Sequence, residues 1–178
     1  LRRRAVYSVA HFEIRIVLKI HIDIGMICHV KLMGMTREGG TIVSAADITV
    51  TCNGKLLLER RRDSDTWGLI GGSVKKTETE LQAITREIYE ELGIRVKAEQ
   101  MKKLAVYGEP GRIAAYQDGS IWRMVIVVFG LELEDEPEMV ISHESRDLRF
   151  FTKEELNNIE IVITHSDIVE DWFLKCEK

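Results

Sequence analysis

Gly72-Ser73-Val74-Lys75-Lys76-Thr77-Glu78-Thr79-Glu80-Leu81-Gln82-Ala83-Ile84-Thr85-Arg86-Glu87-Ile88-Tyr89-Glu90-Glu91-Leu92-Gly93-Ile94 is the stretch from which this chain can be read. Within it, Leu81, Ile84, Ile88 and Leu92 recur at steps of three, four and four, which is one face of an α-helix over Thr77 to Leu92. That face is expected to enter a core. At about 100° per residue, Glu87, Glu90 and Glu91 fall beside the apolar stripe within an arc of roughly 100°, with Glu91 nearest its edge. Their side chains can converge on one spot. Thr77 and Glu80 have the spacing of a capping box, and Gly93 stands where a C-terminal glycine ends a helix.

Three carboxylates within reach of one another repel unless a cation compensates or one of them takes up a proton. Oxygen-only ligands that leave positions open for water and phosphate suit Mg²⁺, with Mn²⁺ as a substitute, whereas zinc would want nitrogen or sulfur. Arg86 lies beside the acids and can hold one carboxylate in a bidentate pair. Gly71 and Gly72 give a backbone free to approach metal or phosphate closely, with a carbonyl available as a ligand. The rival reading is a solvated acidic helix face, since Arg-Glu-Ile-Tyr-Glu-Glu is also ordinary surface composition. Register argues against it. Seven fixed residue types stand in place (Gly72, Glu78, Arg86, Glu87, Glu90, Glu91 and Gly93). At roughly one chance in fifteen each, a random window matches on the order of once in 10⁸.

These residues and their spacing resemble the signature of the Nudix hydrolases, which cleave a nucleoside diphosphate linked to another group using Mg²⁺ or Mn²⁺. Every fixed position of that signature is occupied here. The resemblance implies that Glu87, Glu90, Glu91 and the Gly72 carbonyl hold metal, that Arg86 orients the glutamates, and that Glu87, Glu91 and Arg86 are the catalytic set. Gly71, Glu78 and Gly93 support them. It further implies water attack on phosphorus, yielding a nucleoside monophosphate and a phosphorylated remainder. The general base is either a motif glutamate or one from a later loop, for which Glu109 and Glu144 are the candidates. One departure is Ile70, where the family commonly has proline, which costs loop rigidity and removes no ligand. A Nudix domain that binds nucleotide without cleaving it usually lacks some motif carboxylates, and this chain has lost none.

Composition fits a globular domain: 178 residues, 45% hydrophobic and 30% charged, without repeats. A net charge of −4 and the lack of a basic stripe argue against duplex nucleic acid as a partner and are compatible with a small nucleotide brought in through a metal. Cys28, Cys52 and Cys176 read as free thiols of a reducing, cytoplasmic compartment, and the five histidines as structural or solvent-facing. No window has the roughly 18 uninterrupted apolar residues of a membrane span. The nearest, Ile14 to Val30, is broken by Arg15, Lys19, His21 and Asp23, and its Ile14 to Ile24 alternate like a half-buried strand.

Residues 1–38 are therefore expected to be a strand-like N-terminal extension, and residues 39–178 the Nudix domain. The extension either adds an edge strand or pairs with another subunit as a homodimer. The expected fold is α/β (α+β), a mixed β-sheet between helices. Strands are expected at Thr41 to Thr51 and Lys55 to Glu59 around an Asn53-Gly54 turn, then at Val96 to Tyr107, Trp122 to Glu132 and Leu148 to Phe151. A short helix capped by Thr152 with Glu155 and a last helix from Ser166 to Lys175 complete it. Substrate signals are thinner. Pro110, sixteen residues after Ile94, falls near a proline of ADP-ribose-cleaving members; Arg60 to Arg62 either touch phosphate or are solvated. Tyr107, Tyr116, Trp122 and Phe129 either stack on a base or belong to the core. ADP-ribose or a nucleotide sugar is favoured, with ordinary or oxidised nucleoside triphosphates as rivals. A nucleotide-binding regulator and an assembly protein are the remaining function classes.

Overall fold

The computed structural model describes residues 41–109, 112–115 and 121–176. The expected extension 1–38, Pro110 and Tyr116 lie outside them. Eight strands form one sheet: β1 (Thr41–Cys52), β2 (Lys55–Arg61), β3 (Trp67–Gly68), β4 (Ile70–Ser73), β5 (Lys102–Tyr107), β6 (Ile113–Ala115), β7 (Ile121–Leu133) and β8 (Ser145–Phe151). Among the described residues, three α-helices join them: α1 (Glu80–Leu92), α2 (Lys153–Leu156) and α3 (Ile163–Cys176). The sheet is mixed, because β1 and β7 run parallel through twelve residue pairs from Thr41 opposite Trp122 to Cys52 opposite Leu133 while the other strand-to-strand pairings among the described residues are antiparallel.

Both faces of this sheet are covered, so its central strands are apolar on both sides. Ala46, Ile48, Val50 and Cys52 of β1 pack with Val127, Phe129 and Leu131 of β7 against Ala83, Ile84, Ile88 and Leu92 of α1. The alternate residues, Ala45 of β1 with Ile126 and Val128 of β7, pack against Ile168, Val169 and Phe173 of α3. Burying each large side chain of the α1 stripe is worth about 1.5–3 kcal/mol. Truncating Ile88, which is fully buried, would cost about 2–5 kcal/mol.

Several expected boundaries move. α1 starts at Glu80 because Thr79, not Thr77, is its cap: the Thr79 hydroxyl accepts the Gln82 N–H at 3.3 Å, and the Gln82 amide oxygen accepts the Thr79 N–H at 2.8 Å. Gly93 ends the helix at φ +73°, its N–H donating to the Tyr89 carbonyl at 3.0 Å. Asn53 and Gly54 both have positive φ, as the tight hairpin between β1 and β2 demands. The strand expected from Val96 gives way to a 3₁₀ turn at Ala98–Gln100 before β5. The last helix begins three residues earlier than Ser166, at Ile163. α2 is capped by Thr152 with Glu155 as expected. β3, β4 and β6 are too short to show periodicity.

Candidate active site

Arg86 is the hub of the outer half of the acidic cluster. Its Nε and Nη2 donate to the two Glu78 oxygens at 3.2 and 2.7 Å, so the bidentate partner is the glutamate eight residues earlier. Nη1 donates to Glu87 Oε1 at 2.6 Å and to Glu90 Oε2 at 2.9 Å, and Nη2 reaches the Ser73 carbonyl at 3.3 Å. One guanidinium thus serves three carboxylates. The Arg86 hydrogen bonds hold the Glu78 carboxyl down to about 2, and Glu78 also accepts the Lys75 N–H at 2.8 Å, closing the turn ahead of α1.

In the inner half, Glu91 has no such partner. Glu91 is 6% exposed, and its Oε2 accepts the Gly71 N–H at 3.3 Å. Burial, followed by the nearby charges of Glu59 and Glu87, pushes its carboxyl up to about 9, so it keeps a proton at neutral pH. Glu59 on β2 is buried as well and also raised, mainly by burial; Ser145 Oγ donates to its Oε2 at 2.6 Å, and Arg61 lies 3.4 Å from its Oε1. Burial likewise raises Glu87 against the pull of Arg86.

The glycine loop meets this cluster directly. A Cβ on Gly72 would run into the Glu87 carboxylate, and one on Gly71 would collide with the Ala46 carbonyl and the Asp47 carboxylate. Backbone and carboxylates therefore sit closer than any side chain would permit. A hard divalent cation fits this donor set, which is oxygen alone and carries repulsion that a positive charge would relieve. Among the described residues, no three acidic, His or Cys side chains are already drawn together as an ion cage. Arg86 holds oxygens of Glu87 and Glu90 instead.

Beside the inner pair lies a cavity of about 380 Å³ lined by Glu59, Arg61, Arg62, Asp63 and Glu144. Arg62 fastens its wall, its N–H donating to the Glu144 carbonyl and its Nη2 to the Ser145 carbonyl, both at 2.9 Å. Arg61 pairs with Asp63 at 3.2 Å. The Glu144 side chain is 67% exposed at this cavity. Glu109 is taken up by an ion pair with fully buried Arg112. Arg60 turns to Asp65, where Nη2 donates to Oδ2 at 3.2 Å, and does not line the cavity. Phe129 is core, and the Tyr107 hydroxyl donates to Asp171 at 2.8 Å.

The profile of the NUDIX domain family matches residues 42–172. This chain belongs to that family. Among curated NUDIX relatives, an ADP-ribose pyrophosphatase of Methanocaldococcus jannaschii is 30% identical over 132 residues, covering 72% of this chain and 71% of that protein. Nucleoside triphosphatase NudI of Enterobacter sp. (strain 638) is 31% identical over 97 residues, covering 53% and 67%. Other curated relatives are matched over only 31–38% of their length. The NUDIX fold recurs in a crystal structure of a bifunctional NMN adenylyltransferase/ADP ribose pyrophosphatase from Francisella tularensis complexed with AMP and Mn, at TM-score 0.61 and 18% identity over 89% of this chain and 50% of that one.

Within this NUDIX chain, the motif alone did not reveal Glu59, Ser145, Asp47 or His165. A signal was present for two of them. Asp47 interrupts the apolar run of β1, and Glu59 follows the three leucines of β2; a carboxylate in a strand buried on both faces needs a reason.

Proposed function

We propose that this chain is a divalent-metal-dependent hydrolase of phosphoric anhydride bonds in nucleoside diphosphate derivatives, of the ADP-ribose or nucleotide-sugar type, with Mg²⁺ as its ion. The observation that carries this reading is the division of the acidic cluster: Arg86 orders Glu78, Glu87 and Glu90, while buried Glu91 has no guanidinium bonded to it and lies against Gly71 and Gly72. Glu87, Glu90, Glu91 and the Gly72 carbonyl would hold the ion. Bound there, it would neutralise phosphoryl oxygens and make a coordinated water acidic. Arg86 fixes the rotamers of Glu87 and Glu90 before substrate arrives. Glu144, exposed at the cavity and 3.5 Å from His143 Nε2, would accept the proton of the attacking water, whereas Glu109 is engaged by fully buried Arg112. Arg62 keeps that wall of the cavity in place.

Residues 39–178 would form the catalytic unit, a division supported by the family match beginning at residue 42. The similarity to NudI supports a second reading, hydrolysis of nucleoside triphosphates. One panel separates the two: monophosphate and phosphate release from ADP-ribose, nucleotide sugars and triphosphates, each with Mg²⁺, Mn²⁺ or chelator. Metal-dependent release of AMP from ADP-ribose supports the first reading. Cleavage confined to triphosphates supports the second, and no cleavage of any member contradicts both.

A further inference from the structure

A second polar group lies on the opposite side of the glycine loop from α1. Asp47 and His165 are 3% and 7% exposed in a largely apolar layer that includes Ala45, Leu58, Leu69 and Ile168. His165 Nδ1 accepts the Leu69 N–H at 3.0 Å, which leaves the ring proton on Nε2. Nε2 lies 3.1 Å from Asp47 Oδ2, off the line of an aligned hydrogen bond, so that buried oxygen has no hydrogen-bonding partner among the described residues.

The register of β1 with β4 puts Asp47 opposite Gly71 and Ala46 opposite Gly72. Asp47 Oδ1 occupies the space that a Gly71 side chain would need, while the Gly71 N–H is taken by Glu91 from the α1 side. Gly68 leaves room for the imidazole, since a Cβ there would stand 3.1 Å from Nδ1. The bend from Gly68 to Gly72 is thus gripped from both layers, by Glu91 on one side and by Asp47 and His165 on the other. A buried carboxylate and a buried imidazole each carry a desolvation cost that an apolar pair would avoid. Packing alone does not account for them.

We infer that His165 and Asp47 are positioning residues that hold the Gly68–Gly72 bend where its backbone carbonyl completes the cation site formed with the α1 glutamates. This rests on the metal-dependent reading above, and the two can fail separately. The bend follows Asp47 and His165 from β1 and α3, so motif helix and glycine loop are set by different layers of the fold.

The test is Mn²⁺ affinity measured by electron paramagnetic resonance without substrate, alongside thermal denaturation and the split between kcat and KM. His165→Ala is expected to weaken Mn²⁺ binding about tenfold or more, the usual effect of losing a support behind a metal ligand. His165→Asn, which keeps an acceptor for the Leu69 N–H, is expected to recover most of that affinity. Asp47→Asn preserves volume and, should the alanine variant fail to fold, carries the same expectation of weakened binding. Lowered thermal stability with wild-type Mn²⁺ affinity in both His165→Ala and Asp47→Asn would overturn the inference and leave the pair purely structural. Mn²⁺ binding unchanged in Glu91→Gln, or absent from the wild-type protein, would overturn the metal reading itself and this inference with it.

Discussion

The acidic cluster has two halves of the same residue type in opposite electrostatic states. In the outer half, Glu78, Glu87 and Glu90 share Arg86, and Glu78 is held far below the usual carboxylate range. In the inner half, Glu91 lies buried near Glu59, and no guanidinium bonds to it. Carboxylates paired with Arg86 gain a fixed orientation, while a buried one that holds a proton for want of a cationic partner can exchange that proton for a cation brought from outside. α1 supplies both within one turn because its outer flank reaches Arg86 and its inner flank reaches the core.

The sharpest way to break this contrast is Glu91→Gln. Turnover is expected to fall by orders of magnitude in the panel assay while the fold persists. The metal-free protein should also lose part of its pH dependence. An unfolded glutamate releases its proton near pH 4.3. The folded one keeps it up to about 9, so the folded state binds more protons across that window and metal-free stability falls as pH rises through it. Thermal melts from pH 5 to 9 should show that fall in the wild type, a flatter profile in Glu91→Gln, and its reversal by Mg²⁺.

Arg86→Ala attacks the outer half. It frees three carboxylates to repel, and activity should drop about 10–100-fold through lost orientation. The smallest effect is expected from Glu90→Gln, whose side chain is 52% exposed, at about tenfold in kcat/KM. A loss as large as that of Glu91→Gln would erase the distinction between the halves.

Much of the outer half was legible in the sequence, because Glu78, Arg86, Glu87 and Glu90 lie on or just before one helix and helical spacing brings them together. The inner half was legible only at Glu91, through its place at the edge of the stripe Ile84, Ile88 and Leu92. Glu59, Asp47 and His165 reach the site from β2, β1 and α3, and nothing local encodes that meeting. It depends on the register of β1 with β4 and on the packing of α3. The cap of α1 moves for a related reason: Glu78 is committed to Arg86 and Lys75, so the turn closes two residues later and Thr79 takes the capping role. β1 and β7 show no clean period-two alternation, because both of their faces are buried.

Calorimetric titration of Mg²⁺ into the protein at pH 7.5, repeated in two buffers of different ionisation enthalpy, counts the protons expelled when the ion binds, and so tests most directly whether Glu91 waits in protonated form for a cation. About one proton released per ion in the wild type, and none in Glu91→Gln, is the predicted result. Tight binding with no proton released, or equal release from both proteins, would contradict it.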